Sequence, residues 1–266
     1  MTLEPVRSPR NSRLKAVRAV RAGRDREHVL LEGLHLIREA LEAGAGIEWV
    51  LYEPGPGPAE EELLEDLRAA GVEVRDCPPA LLREGSDLDS PRGLLGLARR
   101  PGTARRTLLE ETARSRGVLL VAAGVQDPGN TGALVRAAAG LGATGFAALR
   151  GGASPWHPRA LRGSAGTAFR LPVVEGWARE TFLEEVGEAG LEILGAEAGG
   201  EDPARLPPAR SGRVLLLGEE GRGLAPELRR ACARRLGIPL HRGVESLNVA
   251  TAAAVLLWEL GRGREG

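Results

Sequence analysis

The sequence predicts an α/β protein, a doubly wound parallel sheet preceded by a smaller α/β unit. Three observations lead there. From Gly117 onward, apolar runs of strand length alternate with helical patterns. Several of those runs are nearly unbroken, which marks parallel strands buried on both faces. Polar, glycine-rich clusters follow some of the strands, at the edge where such a sheet holds its ligands.

Bulk properties bound the function. A chain of 266 residues has room for one large domain or two ordinary ones, and 42% hydrophobic residues suffice for a core. Aromatics make up only 3%, so stacking of bases on aromatic platforms is not the main recognition device. The formal net charge is zero, so any affinity for nucleic acid must come from local patches. Cys77 and Cys232 are the only cysteines, which excludes a disulfide framework and predicts inert thiols in a reducing cytoplasm. No apolar run approaches membrane-spanning length, and "MTLEPVRSPRNSRLK" lacks a signal-peptide core. The expectation is a cytoplasmic protein without a membrane partner.

The elements follow in order. Arg7, Arg10, Arg13, Lys15, Arg18, Arg21, Arg24 and Arg26 crowd the N-terminal stretch, while Leu14, Val17 and Val20 recur at helical spacing. That pattern predicts an amphipathic helix with a positive outer face, either simply solvated or touching phosphate. "HVLLEG", "IEWVLYEP", "VEVRDCP" and "RGLLGLARR" read as strands. "LHLIREALEAG" and "GPGPAEEELLEDLRAAG" supply helices, the second with an acidic first turn that suits the helix dipole. This unit spans 1–100, and a linker over 101–116 opens a new helix or loop. The main domain, 117–266, begins with "GVLLVAAGV", continues through strands "TGFAAL", "LEILGAE" and "RVLLLGEE", and ends with a short strand "LGIPL". Helices are expected at "NTGALVRAAAGLG", "HPRALRGSAG", "ETFLEEVGEAG" and "APELRRACARR", with a last one from Ser246. Pro226 can open the fourth of these, since proline suits a first turn.

Several familiar chemistries fail on inspection. No G-x-x-x-x-G-K-[ST] and no strand-following G-x-G-x-x-G occurs, which excludes a Walker loop and a dinucleotide fingerprint. "RGSAG" has Arg162 where a nucleophile elbow needs glycine. His28, His35, His157 and His241 show no paired metal spacing, so no metal site is expected. What remains are three clusters at strand ends: "QDPGNTGALVR", "LGEEGRGL" and "IPLHRGVESLN".

In this order the clusters resemble the SpoU/TrmH family of RNA ribose 2′-O-methyltransferases, within the SPOUT superfamily. The first matches N-x-G-x-x-x-R through Asn130, Gly132 and Arg136. The second matches G-x-E-x-x-G through Gly218, Glu220 and Gly223. The third matches I-P-M-x-G-x-x-x-S-L-N-V through Ile238, Pro239, Gly243, Ser246, Leu247, Asn248 and Val249, with Leu240 in place of Met. Ala250 stands where the family usually has a second serine. "ALRGSAGTAFRLPV" is similar to a segment the family carries between its first two motifs. Residues 1–100 resemble the ribosomal-protein-like substrate-binding domain often fused in front.

The resemblance implies a C-terminal trefoil knot, S-adenosylmethionine as cofactor, RNA as substrate and a homodimer through the knotted domain. It places the cofactor against backbone at Gly218, Ile238 and Leu247, with Leu217, Pro239 and Gly243 beside them. Arg136 is expected to orient phosphate and steady the ribose oxyanion, because arginine keeps its proton in proteins, with direct base action by Arg136 as the alternative. Gly132, one helical turn earlier, is expected to leave an uncovered spot where RNA approaches. Asn130 is expected to support Arg136 or the RNA, and Glu220 to order its loop or meet Arg136 across the dimer. Ser246 and Asn248 line the site, and the same side chains suit helix capping. Ribosomal RNA, and guanosine within it, is the expected target. Transfer RNA, or a non-catalytic RNA-binding assembly factor of the same fold, are the alternatives.

Overall fold

The structure is a computed structural model describing residues 5–85 and 93–262. The chain divides into two compact units, Met1–Pro101 and Gly102–Gly266.

The first unit contains α1 (Ser12–Arg21), β1 (His28–Glu32), α2 (Leu34–Glu42), β2 (Ile47–Tyr52), α3 (Pro58–Ala69), β3 (Glu73–Asp76), α4 (Pro79–Gly85) and β4 (Leu94–Arg99). Arg92, which opened the predicted fourth strand, lies outside the described residues. The sheet order is β1-β4-β2-β3, with β4 antiparallel to both neighbours and β3 parallel to β2. Helix α1 starts where the Asn11 side chain accepts from the Arg13 N–H, and it buries Leu14 and Val17. These join Leu30, Trp49, Leu51 and Leu95 in one apolar cluster. Arg13 is spent on an ion pair with Glu73 of β3, which Arg75 also reaches. Arg7, Arg10, Lys15, Arg18 and Arg24 remain exposed.

The second unit contains α5 (Arg105–Arg114), β5 (Val118–Ala123), α6 (Pro128–Gly140), β6 (Gly145–Leu149), α7 (Pro158–Gly163), β7 (Val173–Trp177), α8 (Arg179–Glu188), β8 (Glu192–Glu201), β9 (Arg213–Gly218), α9 (Pro226–Ala231), β10 (Arg234–Leu236) and α10 (Val249–Arg262). The sheet order is β10-β8-β9-β5-β6-β7, and every pairing is parallel. All residues of β5 and β6 are buried, as their unbroken apolar runs predict.

Three expectations are corrected and one left open is decided. Residues 105–114, where the linker was expected to open a helix or loop, form α5, because Leu108 and Leu109 belong to the core of this unit. The last strand is not "LGIPL" but Arg234–Leu236. Gly237 makes one more bond, N–H to the Glu201 carbonyl, and the chain then leaves the sheet; Pro239 has no N–H with which to continue a ladder. Helix α9 ends at Ala231 rather than running through Arg235, since the Ala233 N–H is taken by the Ile193 carbonyl of β8. Strand β7 was not foreseen, because "VVEGW" is short and follows a turn-rich segment.

Burial pushes the Cys77 and Cys232 thiols up to about 11, so both stay protonated at neutral pH. Among the described residues no helix is long and apolar enough to cross a membrane, and no group of three metal-ligating side chains is assembled.

Glu73 gives a pH-dependent test. Burial raises its carboxyl, but hydrogen bonds from Arg13 and Arg75 outweigh that and hold it below the ordinary 4.5. A depressed carboxylate contributes stability above its unfolded value, and the contribution is lost as pH falls through the folded value. Glu73→Gln is expected to cost about 1 kcal/mol at pH 7 in urea unfolding, with the gap to the parent closing at pH values below the ordinary carboxylate range.

Candidate active site

Parallel pairing delivers the three polar clusters to one edge. Ala123, the last residue of β5, pairs with Gly218, the last of β9, and β10 lies on the other side of β8 from β9. Beyond β5, Asp127 accepts from the Asn130 N–H at 2.8 Å and caps α6, with Pro128 at its first position. Beyond β9, Glu219 and Gly223 exchange backbone hydrogen bonds of 3.0 and 2.8 Å and close a tight hairpin. Gly218 is required there: a Cβ on it would lie 2.2 Å from the carbonyl carbon of Gly223. Beyond β10, residues 237–248 form a loop that ends at α10.

One chain of side-chain hydrogen bonds ties the three clusters together. The Asn248 carbonyl oxygen accepts from the Ala250 N–H at 2.9 Å and from the Thr251 N–H at 3.4 Å, capping α10. Asn248 Nδ2 then donates to Asn130 Oδ1 at 2.9 Å. Asn130 Nδ2 donates in turn to Glu220 Oε1 at 2.8 Å. The order is forced. Free N–H groups of α10 need an acceptor, which turns the Asn248 amide outward, which sets the Asn130 amide, which leaves a donor facing a carboxylate. A carboxylate accepts this last bond with added charge assistance.

Beside this relay lies a cleft of about 740 Å³, within the range of small-molecule sites. Leu217, Ile238, Leu240, Leu247 and Leu256 give it an apolar wall, and the Glu219–Gly223 hairpin and Ser246–Asn248 form its rim. Glu197, Glu219, Glu220 and Glu245 line it against Arg222 and Arg229, so carboxylates outnumber guanidiniums four to two. Hydrogen bonds from Arg229 hold the Glu197 carboxyl below its ordinary range and keep it charged. Such a cleft suits an organic ligand that carries positive charge.

Of the residues singled out from sequence, Leu217, Gly218, Ile238, Leu247, Glu220, Ser246 and Asn248 line this cleft. Pro239 and Gly243 do not; both are exposed on the loop, Gly243 in a turn with φ of 73°. Asn130 is joined to the cleft through its two partners and makes no bond to Arg136, contrary to one expectation. Glu220 meets Asn130 of its own chain. Arg136 is exposed on α6, outside the cleft lining, with no hydrogen bond or ion pair among the described residues. The reading of Gly132 is corrected outright. It is buried, and its missing side chain admits α7: a Cβ would lie 2.2 Å from the Ala160 carbonyl oxygen. Sequence reasoning missed Asp127, although Asp before Pro at a strand-to-helix junction is a capping signal.

An apolar cleft rimmed by carboxylates, at the C-terminal edge of a parallel sheet, defines an α/β enzyme site for a small cationic organic ligand. Residues 117–258 match the SpoU rRNA Methylase family, and residues 11–96 match the MRM3-like substrate binding domain. The chain belongs to the SpoU rRNA Methylase family. It is 27% identical to the 23S rRNA (guanosine(2553)-2′-O)-methyltransferase RlmP of Bacillus subtilis, over 97% of this chain and 99% of that one. It is 30% identical to the 23S rRNA (guanosine-2′-O-)-methyltransferase RlmB of Xanthomonas campestris, over 88% and 96% of the two chains. Its fold is similar to the AdoMet-bound rRNA methyltransferase of Sinorhizobium meliloti, with a TM-score of 0.82, 26% identity and 97% of each chain covered.

The relay predicts non-additive energetics. Asn248→Ala removes a cap and a side-chain bond and is expected to cost about 1–2 kcal/mol. In a double-mutant cycle with Asn130→Ala, urea unfolding should give a coupling of about 1 kcal/mol; additivity to within about 0.3 kcal/mol would contradict the relay.

Proposed function

We propose that this protein transfers a methyl group from S-adenosylmethionine to a ribose 2′-hydroxyl of ribosomal RNA, with guanosine as the target nucleoside. The observation that carries the reading is the cleft itself, rimmed by the hairpin after β9 and the loop before α10 in a chain of this family and lined by more carboxylates than guanidiniums. Family relatives named for guanosine 2′-O-methylation of 23S rRNA support the choice of substrate.

The cleft fits the cofactor. Its volume accommodates a nucleoside with an amino-acid arm, its apolar wall suits the adenine face, and its carboxylates suit a sulfonium and an ammonium. Backbone at Gly218, Ile238 and Leu247 is assigned to the adenosine, with Leu217 as apolar support. S-adenosylmethionine supplies an electrophilic methyl group and departs as a neutral thioether. The 2′-oxygen gains the methyl and loses its proton to water or to an RNA phosphate oxygen. Ser246 and the Glu220–Asn130–Asn248 relay shape the rim at which the ribose arrives.

Arg136 is assigned to the developing alkoxide, where a permanent cation is most useful. Within one chain it stands outside the cleft, so the arginine is supplied by a second copy. Helix α10 supports that arrangement. It packs on α6, which carries Arg136, and it leaves Val255 and Trp258 exposed, the latter 60% accessible. A homodimer over this face, with the 237–248 loop drawn into a trefoil knot, is part of the proposal. The unit at 1–100 is assigned to RNA binding, its exposed Arg7, Arg10, Lys15, Arg18 and Arg24 meeting phosphates. A cytoplasmic setting goes with that substrate and with free thiols.

Incubation with labelled S-adenosylmethionine and unmodified 23S rRNA should yield label that digests to 2′-O-methylguanosine; absence of label in RNA would overturn the reading. Arg136→Ala should abolish transfer and leave cofactor binding intact. Mixing Arg136→Ala with Gly218→Val subunits, each inactive alone, should restore about a quarter of wild-type activity if the arginine acts across a dimer. No restoration would place the arginine's role within its own chain.

A further inference from the structure

A second cleft, of about 310 Å³, lies at the C-terminal ends of β5, β6 and β9 and is lined by Arg150, Arg179, Arg222 and Gln126. We propose that it holds a backbone phosphate of the substrate RNA. The inference rests on the methyltransferase reading and adds a contact outside the cofactor cleft.

The whole chain is neutral, yet three guanidiniums converge here against one lining carboxylate, Glu219. Arg150 directly follows β6 and is exposed; its N–H donates to the Trp177 carbonyl at 2.8 Å, and its side chain makes no hydrogen bond or ion pair among the described residues. Arg222 is 83% exposed in its side chain and reaches Glu219 only at 3.9 Å. Arg179 is held in place by an ion pair with Glu227. One cation is thus uncommitted and a second only loosely paired, beside a third that is fixed.

The cleft is also preformed. Gln126 Nε2 donates to the Gly124 carbonyl at 3.0 Å and to the Gly151 carbonyl at 2.6 Å, joining the loops after β5 and β6. The Ala153 N–H donates to the Val125 carbonyl at 2.8 Å and braces the same pair. No aromatic side chain lines it, so it is not built to stack a base. Guanidiniums around a small polar hollow match a phosphate, which arginine binds through paired hydrogen bonds.

Its position completes the argument. Glu219, Arg222, Gly223 and Leu224 line this cleft and the cofactor cleft alike. One hairpin separates them, so a strand anchored here runs beside the methyl donor. Contacts of this kind set register and orientation without reading sequence.

The test measures binding of unmodified 23S rRNA transcript between about 50 and 200 mM salt for the wild type, Arg150→Gln, Arg222→Gln and the double variant. The double variant should bind about tenfold more weakly, with the slope of log affinity against log salt reduced by about 1 or more. For Arg150→Gln, which lies outside the cofactor cleft, KM for RNA should rise while kcat and S-adenosylmethionine binding hold. Arg114→Gln, an exposed substitution on α5, should change neither affinity nor slope. Unchanged affinity and slope in the double variant would overturn the phosphate site while leaving the methyltransferase reading in place. A wild type that fails to methylate RNA would overturn that reading instead, and a wild type that fails to bind RNA would overturn both. The Arg150 side chain makes no hydrogen bond or ion pair among the described residues, so its replacement tests the ligand and not the fold.

Discussion

The geometry of the active edge depends on the unpaired N–H groups at the start of α10. They require an acceptor, and Asn248 supplies it. An asparagine amide has two unlike ends, so committing its oxygen inward commits its nitrogen outward. That choice passes to Asn130 and ends on Glu220, the one member that can only accept when ionised. Each bond alone contributes little at a solvent-facing rim, about 1 kcal/mol net. Their value lies in joining residues 130, 220 and 248, which are far apart in sequence and come from three separate loops. The relay makes the relative position of those loops a property of the fold.

The parallel sheet makes this economical. Strands β5 and β9 end in matched register, Ala123 opposite Gly218, so the loops that follow them start side by side. Two tight approaches then set the spacing. Gly218 lets the Gly223 carbonyl cross it, and Gly132 lets α7 settle on α6. Adding a methyl group at either place forces backbone apart rather than a side chain aside. The result is one cleft with carboxylates at its rim, and on the far side of the same hairpin a smaller one with guanidiniums. Opposite charge on the two clefts that share this hairpin would keep a cationic donor and an anionic polymer apart yet adjacent.

Much of this was legible in the sequence. Unbroken apolar runs identified β5, β6 and β9, because strands buried on both faces leave no polar alternation. The motif residues Glu220, Ser246 and Asn248 were expected at the site and line the cleft, and the expectation that Asn248 could also cap a helix holds as well. Other features had no local signal. Strand β10 and the end of α9 are decided by pairing with β8, a neighbour distant in sequence. The stretch at 101–116 leaves helix and loop open until Leu108 and Leu109 find a core. Gly132 looks like an opening toward solvent, and only the fold shows that a helix fills it. The position of Arg136 outside the cleft could not be read either, since a motif conveys order along the chain and not where a side chain lies.

The most direct test is a crystal structure with S-adenosylhomocysteine bound. The account predicts the ligand in the cleft between the Glu219–Gly223 hairpin and Ser246–Asn248, with Asn130 still bridging Glu220 and Asn248. A ligand seated elsewhere on the chain, or seated there with the asparagine pair separated, would contradict it.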